Sequence, residues 1–165
     1  MAGNEHFHDT GHALFLALGF PFETTVCVSR LIVTGVLDEL PTLQLLVAHA
    51  GAALPSLIGR LDSCVEHDHT IANRLKFKPT EYLKRLYYDN VSYSKPALDN
   101  LMAFVDEEKI MFGTDNPFFP PLGEKDIFTA KWPSTVKVHR CVHLHLCENT
   151  YIYTYHPHCL VHIFV

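Results

Sequence analysis

Apolar residues recur along residues 12–115 at two kinds of spacing, and the chain alternates between them. Stretches with apolar positions three and four residues apart predict helices, and short continuous apolar runs predict buried strands. Pro41 ends the first helical stretch, which the pattern predicts as one long helix or two short ones. The predicted order is helix at 12–41, strand at 42–49, helix at 52–69, short helix at 79–86, strand at 86–93, helix at 95–108 and strand at 109–114.

The three predicted strands end near residues 49, 89 and 115, so that 40 and then 26 residues separate their ends. Each gap contains a predicted helix, which is the rhythm of right-handed βαβ units in a parallel sheet. A (β/α)8 barrel of about 250 residues uses roughly 31 residues for each unit. The spacing therefore predicts a piece of an α/β barrel, because three strands are too few to close one.

The composition of the chain changes near residue 137. Residues 138–165 are rich in His, Tyr and Cys and contain no Gly, Ala, Lys or Asp. Runs such as VHLHL and YIYTY alternate with a period of two, which suits a strand. The same residue types are encoded by runs of CA, TA and TG dinucleotides, so translated non-coding sequence is an alternative origin. We therefore divide the chain into a partial barrel domain at 1–137 and a tail at 138–165.

Composition limits the class of protein. The chain has 165 residues, of which 48% are hydrophobic, and its net charge is −5. Its basic residues form no stripe suited to a nucleic-acid backbone. The five cysteines include no Cys-x-x-Cys pair, which favours a reducing compartment. The N-terminus lacks the features of a signal peptide, and the apolar run ALFLALGFPF is too short to span a bilayer. We expect a cytoplasmic protein that binds neither nucleic acid nor membranes.

His49 and Asp115 stand at the C-terminal ends of two predicted strands. In a parallel barrel those ends lie on the face where catalytic groups collect. A carboxylate and an imidazole brought together there suit a divalent metal, because the carboxylate ligates the ion and the imidazole acts on what the ion holds. The alternatives are structural, with Asp115 capping a helix and His49 serving as a hydrogen-bonded structural residue.

Three segments resemble the amidohydrolase superfamily, in the order LALGFPFETT, LLVAHAGAALPSLIGR and KIMFGTDNPFFPP. Within that superfamily they resemble the branch of non-oxidative decarboxylases that includes aminocarboxymuconate-semialdehyde decarboxylase. With DSCVEHDH added, the likeness is strongest to the fungal uracil-5-carboxylate (isoorotate) decarboxylases. The resemblance covers residues 3–126 and implies the C-terminal part of a metal-dependent (β/α)8 TIM barrel, about strands six to eight with their helices, followed by a tail foreign to the family.

The resemblance implies roles for three residues, and the aromatic character of Phe118 suggests a fourth. Asp115 matches the last-strand aspartate that binds the metal and takes part in proton transfer, and His49 matches a sixth-strand histidine that hydrogen-bonds the substrate or the metal-bound water. Arg60 matches an arginine that reaches a substrate carboxylate across a dimer interface through two parallel bonds, and we expect it at an exposed helix start near the strand ends. The alternative is a surface arginine paired with nearby carboxylates or solvent. Phe118, beside Phe119, forms an aromatic lip that suits a flat substrate, although simple packing explains it equally well.

The family's remaining metal ligands, a His-x-His pair on the first strand and a histidine on the fifth, belong before the first matched segment. His6 and His8 repeat the first spacing, but their polar surroundings indicate a loop. His143 and His145 have cysteines nearby and suit zinc in principle, but they lie in the tail. We therefore expect a divalent metal, zinc before manganese, that this chain does not fully ligate, and a truncated form of the enzyme.

The resemblance implies a decarboxylase, or carboxy-lyase, that acts on an unsaturated or aromatic carboxylic acid and forms homo-oligomers when intact. A metal-dependent hydrolase is the alternative within the superfamily. A non-catalytic fragment that pairs with a full-length subunit is the alternative of a different class. Three strands leave unpaired sheet edges unless the tail covers them, so we expect the chain alone to lack decarboxylase activity and to be marginally folded or prone to aggregation.

Overall fold

The structure, a computed structural model, describes residues 7–111 and two short strands of the tail. A π-helical turn at Phe15–Gly19 leads directly into the first α-helix. The helices are α1 (Phe20–Val33), α2 (Val36–Glu39), α3 (Leu54–His67), α4 (His69–Ala72), α5 (Pro79–Leu83) and α6 (Lys95–Met102). The strands are β1 (Gln44–Val47), β2 (Tyr87–Asp89), β3 (Ile110–Met111), β4 (Thr150–Tyr151) and β5 (Val161–Phe164).

The strands of the predicted barrel part form a parallel sheet. β1 pairs with β2 in a register that places Val47 opposite Tyr88, and β2 pairs with β3 so that Tyr88 lies opposite Ile110. Helices α3, α4 and α5 connect β1 to β2, and α6 connects β2 to β3. The predicted βαβ organisation is therefore confirmed over the described residues, although residues 112–149 lie outside them.

The tail contributes the other neighbour of β1. β5 pairs with β1 in antiparallel orientation, with Gln44 opposite Phe164 and Val47 opposite Val161. β4 pairs with β5, so the strand order is β3-β2-β1-β5-β4. The edge of β1 that we expected to be open is thus paired along the whole strand. The division at residue 137 falls outside the described residues and stays a prediction.

The hydrophobic core lies where the helices pack on the parallel strands. In β1 both alternating sets of side chains are buried, as expected for a parallel strand that is covered on two faces. Proline stands in the first turn of α1, α3, α5 and α6, where its missing N–H leaves no helical bond unmade. The core residues that are at most 1% exposed are Val28, Ile32, Leu37, Leu45, Val47, Leu54, Ile58, Tyr82, Leu83, Leu86, Tyr88 and Leu101.

The helical stretch Phe15–Val33 combines a core face with an apolar outer face. It has 19 residues and a mean hydropathy of 1.5, so by length and composition it meets the requirement for a membrane span, which core helices of globular domains also meet. Val28 and Ile32 on one side are buried in the core. Phe22 and Val26 on the other side are 53% and 55% exposed.

A buried hydroxyl joins α2 to α5. The Tyr82 O–H donates to the carboxylate of Asp38, and the N–H groups of Lys76 and Phe77 donate to the Tyr82 oxygen over 3.2 and 3.3 Å. Burial raises the pKa of Asp38, but the Tyr82 hydroxyl, the Lys76 N–H and the positive charges of Lys76 and Arg85 outweigh it and lower that pKa below 3.8. This stabilisation is present above pH 3.8 and is lost as the pH falls through the lowered pKa of the folded state.

Replacement of Tyr82 by Phe is expected to lower the free energy of unfolding at neutral pH by about 1–3 kcal/mol, because a hydrogen bond to a charged group is lost. The same variant should lose less further stability on acidification, since its Asp38 pKa moves back towards 3.8. Urea denaturation at pH 7 and pH 3 measures both effects. Tyr87→Phe is the control, because it keeps the ring that lies 4.0 Å from the Lys109 ammonium. Equal behaviour of the two variants would contradict the assignment.

Candidate active site at the carboxyl ends of the strands

The residues predicted for the site fall into two groups. His49 follows β1 by two residues and lies at the carboxyl edge of the parallel strands, as predicted. Arg60 is exposed on α3. Asp115 and Phe118 lie outside the described residues, so their predicted approach to His49 stays a prediction.

The loop that carries His49 has an unusual backbone. His49, Ala50, Gly51 and Ala52 have φ angles of 60°, 50°, 79° and 54°, all in the region that favours glycine. Each non-glycine residue held in such a conformation costs about 1–3 kcal/mol, and such residues cluster at functional sites. A run of this kind immediately after a barrel strand is the first structural sign of a site.

Gly51 is required in this loop on steric grounds. A Cβ atom added there would lie 3.1 Å from Cε1 of Tyr88 and 3.3 Å from Cγ of Pro55. Tyr88 is fully buried and Pro55 is buried, so neither group has room to move away. The loop therefore crosses directly over the end of β2, and this brings His49 close to the residue that ends that strand.

That residue is Asp89, and its carboxylate binds the His49 loop. The N–H of His49 donates to Oδ2 over 3.1 Å, and the N–H of Ala50 donates to Oδ1 over 2.7 Å. A third donor, the N–H of Val91, lies 3.0 Å from Oδ1. One carboxylate thus joins the segment after β1 to the segment after β2. Sequence analysis missed Asp89, although it ends a predicted strand just as His49 and Asp115 do.

Enclosure by the loop affects the protonation of Asp89. Burial raises the pKa of this carboxyl group above its usual range, against the opposing effect of the N–H groups of Ala50, Val91 and His49 and of the His49 imidazole. The carboxylate is therefore held in a place where its charge is stabilised chiefly by backbone donors and by the imidazole beside it.

Two threonines of α1 hold the same loop from the other side. Oγ1 of Thr24, which is fully buried, lies 3.1 Å from Nδ1 of His49. The hydroxyl of Thr25 accepts the N–H of Ala53 over 3.1 Å and donates to the carbonyl of Pro21 over 2.8 Å. With Nδ1 engaged by Thr24, the imidazole ring is fixed in orientation. The signal for these residues in the sequence is the FETT segment, which carried a resemblance but no assigned role.

Arg60 lies at the seventh position of α3, which begins at Leu54. We also expected it at the start of that helix, and this detail is wrong, since a rise of about 1.5 Å per residue carries it roughly 9 Å along the helix axis. Because the Arg60 side chain is exposed, none of the described residues blocks its predicted contact with a neighbouring subunit.

Within the part of the chain that the structure describes, no group of three or more His, Cys, Asp or Glu side chains is placed to hold a metal ion. The imidazole of His49 contacts the Thr24 hydroxyl, and the backbone N–H of His49 donates to Asp89. The described residues alone therefore do not supply the three protein ligands of a catalytic metal centre.

The sequence profile of the amidohydrolase family matches residues 6–133. The chain belongs to the amidohydrolase family. Its membership confirms the predicted fold class, because the described parallel strands and helices form part of an amidohydrolase-type (β/α)8 barrel. The antiparallel β5 lies outside this parallel pattern.

Named relatives of the chain are decarboxylases. It is 34% identical over 112 residues to the 2-amino-3-carboxymuconate-6-semialdehyde decarboxylase of Dictyostelium discoideum, which covers 65% of this chain and 30% of the relative. The apo crystal structure of IDCase from Metarhizium anisopliae is 36% identical, with a TM-score of 0.67, over 78% of this chain and 36% of that one.

A third similar protein was solved with a metal. The 5-carboxyvanillate decarboxylase of Novosphingobium aromaticivorans, complexed with manganese and 4-hydroxy-3-methoxy-5-nitrobenzoic acid, is 32% identical with a TM-score of 0.56. The match covers 61% of this chain and 30% of that one. The chain thus spans about a third of the length of these relatives.

Gly51→Ala is expected to lower the free energy of unfolding by about 1–3 kcal/mol, because the new Cβ meets Tyr88 at a strained φ angle. Gly59→Ala is the matched control. Gly59 lies inside α3 with open space around it, so the same change there should stabilise the protein by about 0.5–1 kcal/mol. Urea denaturation followed by circular dichroism measures both. The account of the loop fails if the two variants shift stability in the same direction.

Proposed function

We propose that this chain supplies part of the active site of a metal-dependent, non-oxidative decarboxylase of an unsaturated or aromatic carboxylic acid. The observation that carries the proposal is the His49 loop, which Asp89 and Thr24 hold in a strained conformation at the carboxyl edge of parallel strands. Decarboxylase relatives support it, including the 2-amino-3-carboxymuconate-6-semialdehyde decarboxylase of Dictyostelium discoideum. We assign this chain to the C-terminal part of the barrel.

His49 and Asp115 would share the chemistry. Loss of CO₂ leaves electron density on carbon, and a divalent ion held at this site would supply the Lewis acid that offsets that charge. His49, with Nδ1 held by Thr24, would hydrogen-bond the substrate or a water through the other side of its ring. Asp115 would hold the ion and, once it has taken a proton from water, deliver that proton to the carbon that loses CO₂.

The metal would need ligands beyond the described residues. We assign Asp115 as a ligand from this chain and give zinc and manganese equal place in the test, since manganese is present in a solved relative.

Arg60 and Phe118 are proposed to bind the substrate. An exposed guanidinium in the middle of α3 suits a bidentate bond to a carboxylate in a neighbouring subunit, which is why we propose a homo-oligomer for the intact enzyme. Phe118 would contact the flat part of the substrate.

A second candidate function is a non-catalytic fragment that pairs with a longer subunit. Leu18, Phe22 and Val26, four residues apart along one helical stretch, are 40%, 53% and 55% exposed. Such an apolar stripe is typical of a helix whose packing partner lies outside the described residues. Hydrolysis remains the alternative chemistry, in which Asp115 would take a proton from the attacking water.

The test is complementation. Residues 1–165 are expressed together with the part of the Metarhizium anisopliae IDCase that precedes the matched region, and CO₂ release from 5-carboxyuracil and from aminocarboxymuconate semialdehyde is measured with zinc or manganese. We expect turnover only when both parts are present, and no turnover by the chain alone. His49→Gln should lower the rate by about 100-fold or more, as removal of a positioned hydrogen-bonding group does.

His67→Gln is the matched control, because His67 is exposed on α3. The hydrogen bond described for its ring joins it to the Ser63 carbonyl of the same helix. It should leave the rate unchanged. A soluble complex that releases no CO₂, or an active complex in which His49→Gln equals the control, would contradict the decarboxylase proposal. Hydrolysis of an ester or amide substrate by the same complex would favour the hydrolase.

A further inference from the structure

Asp89 binds the two peptide groups that flank the α-carbon of His49. The His49 N–H belongs to the peptide before this atom and the Ala50 N–H to the peptide after it, and both donate to the same carboxylate. The orientation of the first peptide sets the φ angle of His49, and that of the second sets its ψ angle. One side chain therefore determines the direction in which the Cα–Cβ bond of His49 points.

The conformation of His49 needs such a determinant. Its φ angle of 60° lies in a region that residues with a side chain rarely adopt, and Ala50 at 50° repeats the strain. Without the two bonds the loop would relax towards ordinary φ angles, and the imidazole would move with the backbone. Because Val91 also donates to Asp89, the carboxylate cannot follow the loop without breaking its bond to the segment after β2.

Thr24 restricts the orientation of the His49 ring, whereas Asp89 acts on the backbone of His49. The 3.1 Å contact between Oγ1 of Thr24 and Nδ1 of His49 restricts rotation of the imidazole about its own bonds. The contact forms only when the backbone of His49 presents the ring to α1. The backbone bonds and the ring bond are thus coupled through the conformation of one residue.

We infer that Asp89 is a positioning residue for His49, holding the imidazole in its working orientation through the His49 and Ala50 N–H groups without contacting substrate. That this orientation serves decarboxylation rests on the proposed function. The inference itself rests on the three hydrogen bonds and the left-handed backbone.

The chemistry of the site favours a carboxylate over its amide analogue. Both oxygens of Asp89 accept N–H bonds, whereas an asparagine would turn an NH₂ group towards one of the donors. Asp89→Asn therefore removes one bond and places two donors face to face, with almost no change of volume. This makes it the sharpest single variant.

The experiment compares Asp89→Asn with wild type in the monomeric fraction of the full chain. A long-range ¹H–¹⁵N spectrum reads the tautomer of the His49 ring at a pH where the ring is neutral. We expect one tautomer in the wild type, fixed by Thr24, and a mixture in Asp89→Asn. The His49 and Ala50 amides should also exchange with solvent about tenfold faster or more, as expected when a hydrogen bond to a charged group is lost.

Asp99→Asn is the matched control, because it makes the same chemical change at an exposed carboxylate that pairs with Lys95 on α6. It should leave the His49 ring and the two amides unchanged. A folded Asp89→Asn protein that keeps a single His49 tautomer would overturn the inference, since a purely structural aspartate would alter stability without altering the ring.

If Asp89→Asn does not fold, scalar couplings across hydrogen bonds decide the matter in the wild type. Couplings between Cγ of Asp89 and the amide nitrogens of both His49 and Ala50 are expected, and absence of either would overturn the inference. These spectra are recorded without substrate. Failure of the complementation assay with these signals present would therefore refute the decarboxylase proposal alone, and loss of the signals would refute the role of Asp89 alone.

Discussion

The parallel pairing of β1 with β2 is the constraint on which the site depends. With Val47 opposite Tyr88, the chain leaves both strands at the same edge of the sheet. His49 and Asp89 then meet within hydrogen-bonding distance although 40 positions separate them along the chain. A shift of the register by one residue would turn Asp89 to the other face of the sheet and leave the His49 loop without its carboxylate.

The energetics of the loop are closely balanced. Three non-glycine residues with positive φ cost about 1–3 kcal/mol each. The bonds to the Asp89 carboxylate return about 1.5–3 kcal/mol each when the acceptor is charged, and those to Thr24 and Thr25 add smaller amounts. The two sums are of the same size, so the conformation persists only while most of these bonds are intact. This is the property expected of a site that is positioned by its surroundings.

Periodicity was enough to predict the elements but insufficient to predict their contacts. The apolar runs located β1 and β2 and placed His49 at a strand end, because a buried strand is visible in the sequence as a short continuous run of apolar residues. The role of Asp89 depends on strand register and on a loop of left-handed residues, and neither has a periodic signal. The same holds for Thr24, whose hydroxyl meets His49 only after α1 has packed on the sheet.

The tail marks a different limit of sequence reasoning. Alternation near the C-terminus predicted a strand but not a partner, and antiparallel pairing of β5 with β1 has no counterpart in the parallel rhythm of the preceding units. The position of Arg60 was also misjudged, since it is the seventh residue of α3 rather than one at the start of that helix.

The central proposal is that a divalent ion binds at the carboxyl edge of the parallel strands. Because we expect this chain not to ligate the ion fully, Mn²⁺ is titrated into the ¹⁵N-labelled chain in complex with the complementing part of the IDCase, where a bound paramagnetic ion broadens the amide signals nearest to it. The amides of His49, Ala50 and Val91 should broaden first, while those of Gln44 at the start of β1 and Tyr87 at the start of β2 broaden later in the titration. Broadening that begins at the opposite ends, or that is uniform across the chain, would contradict the account.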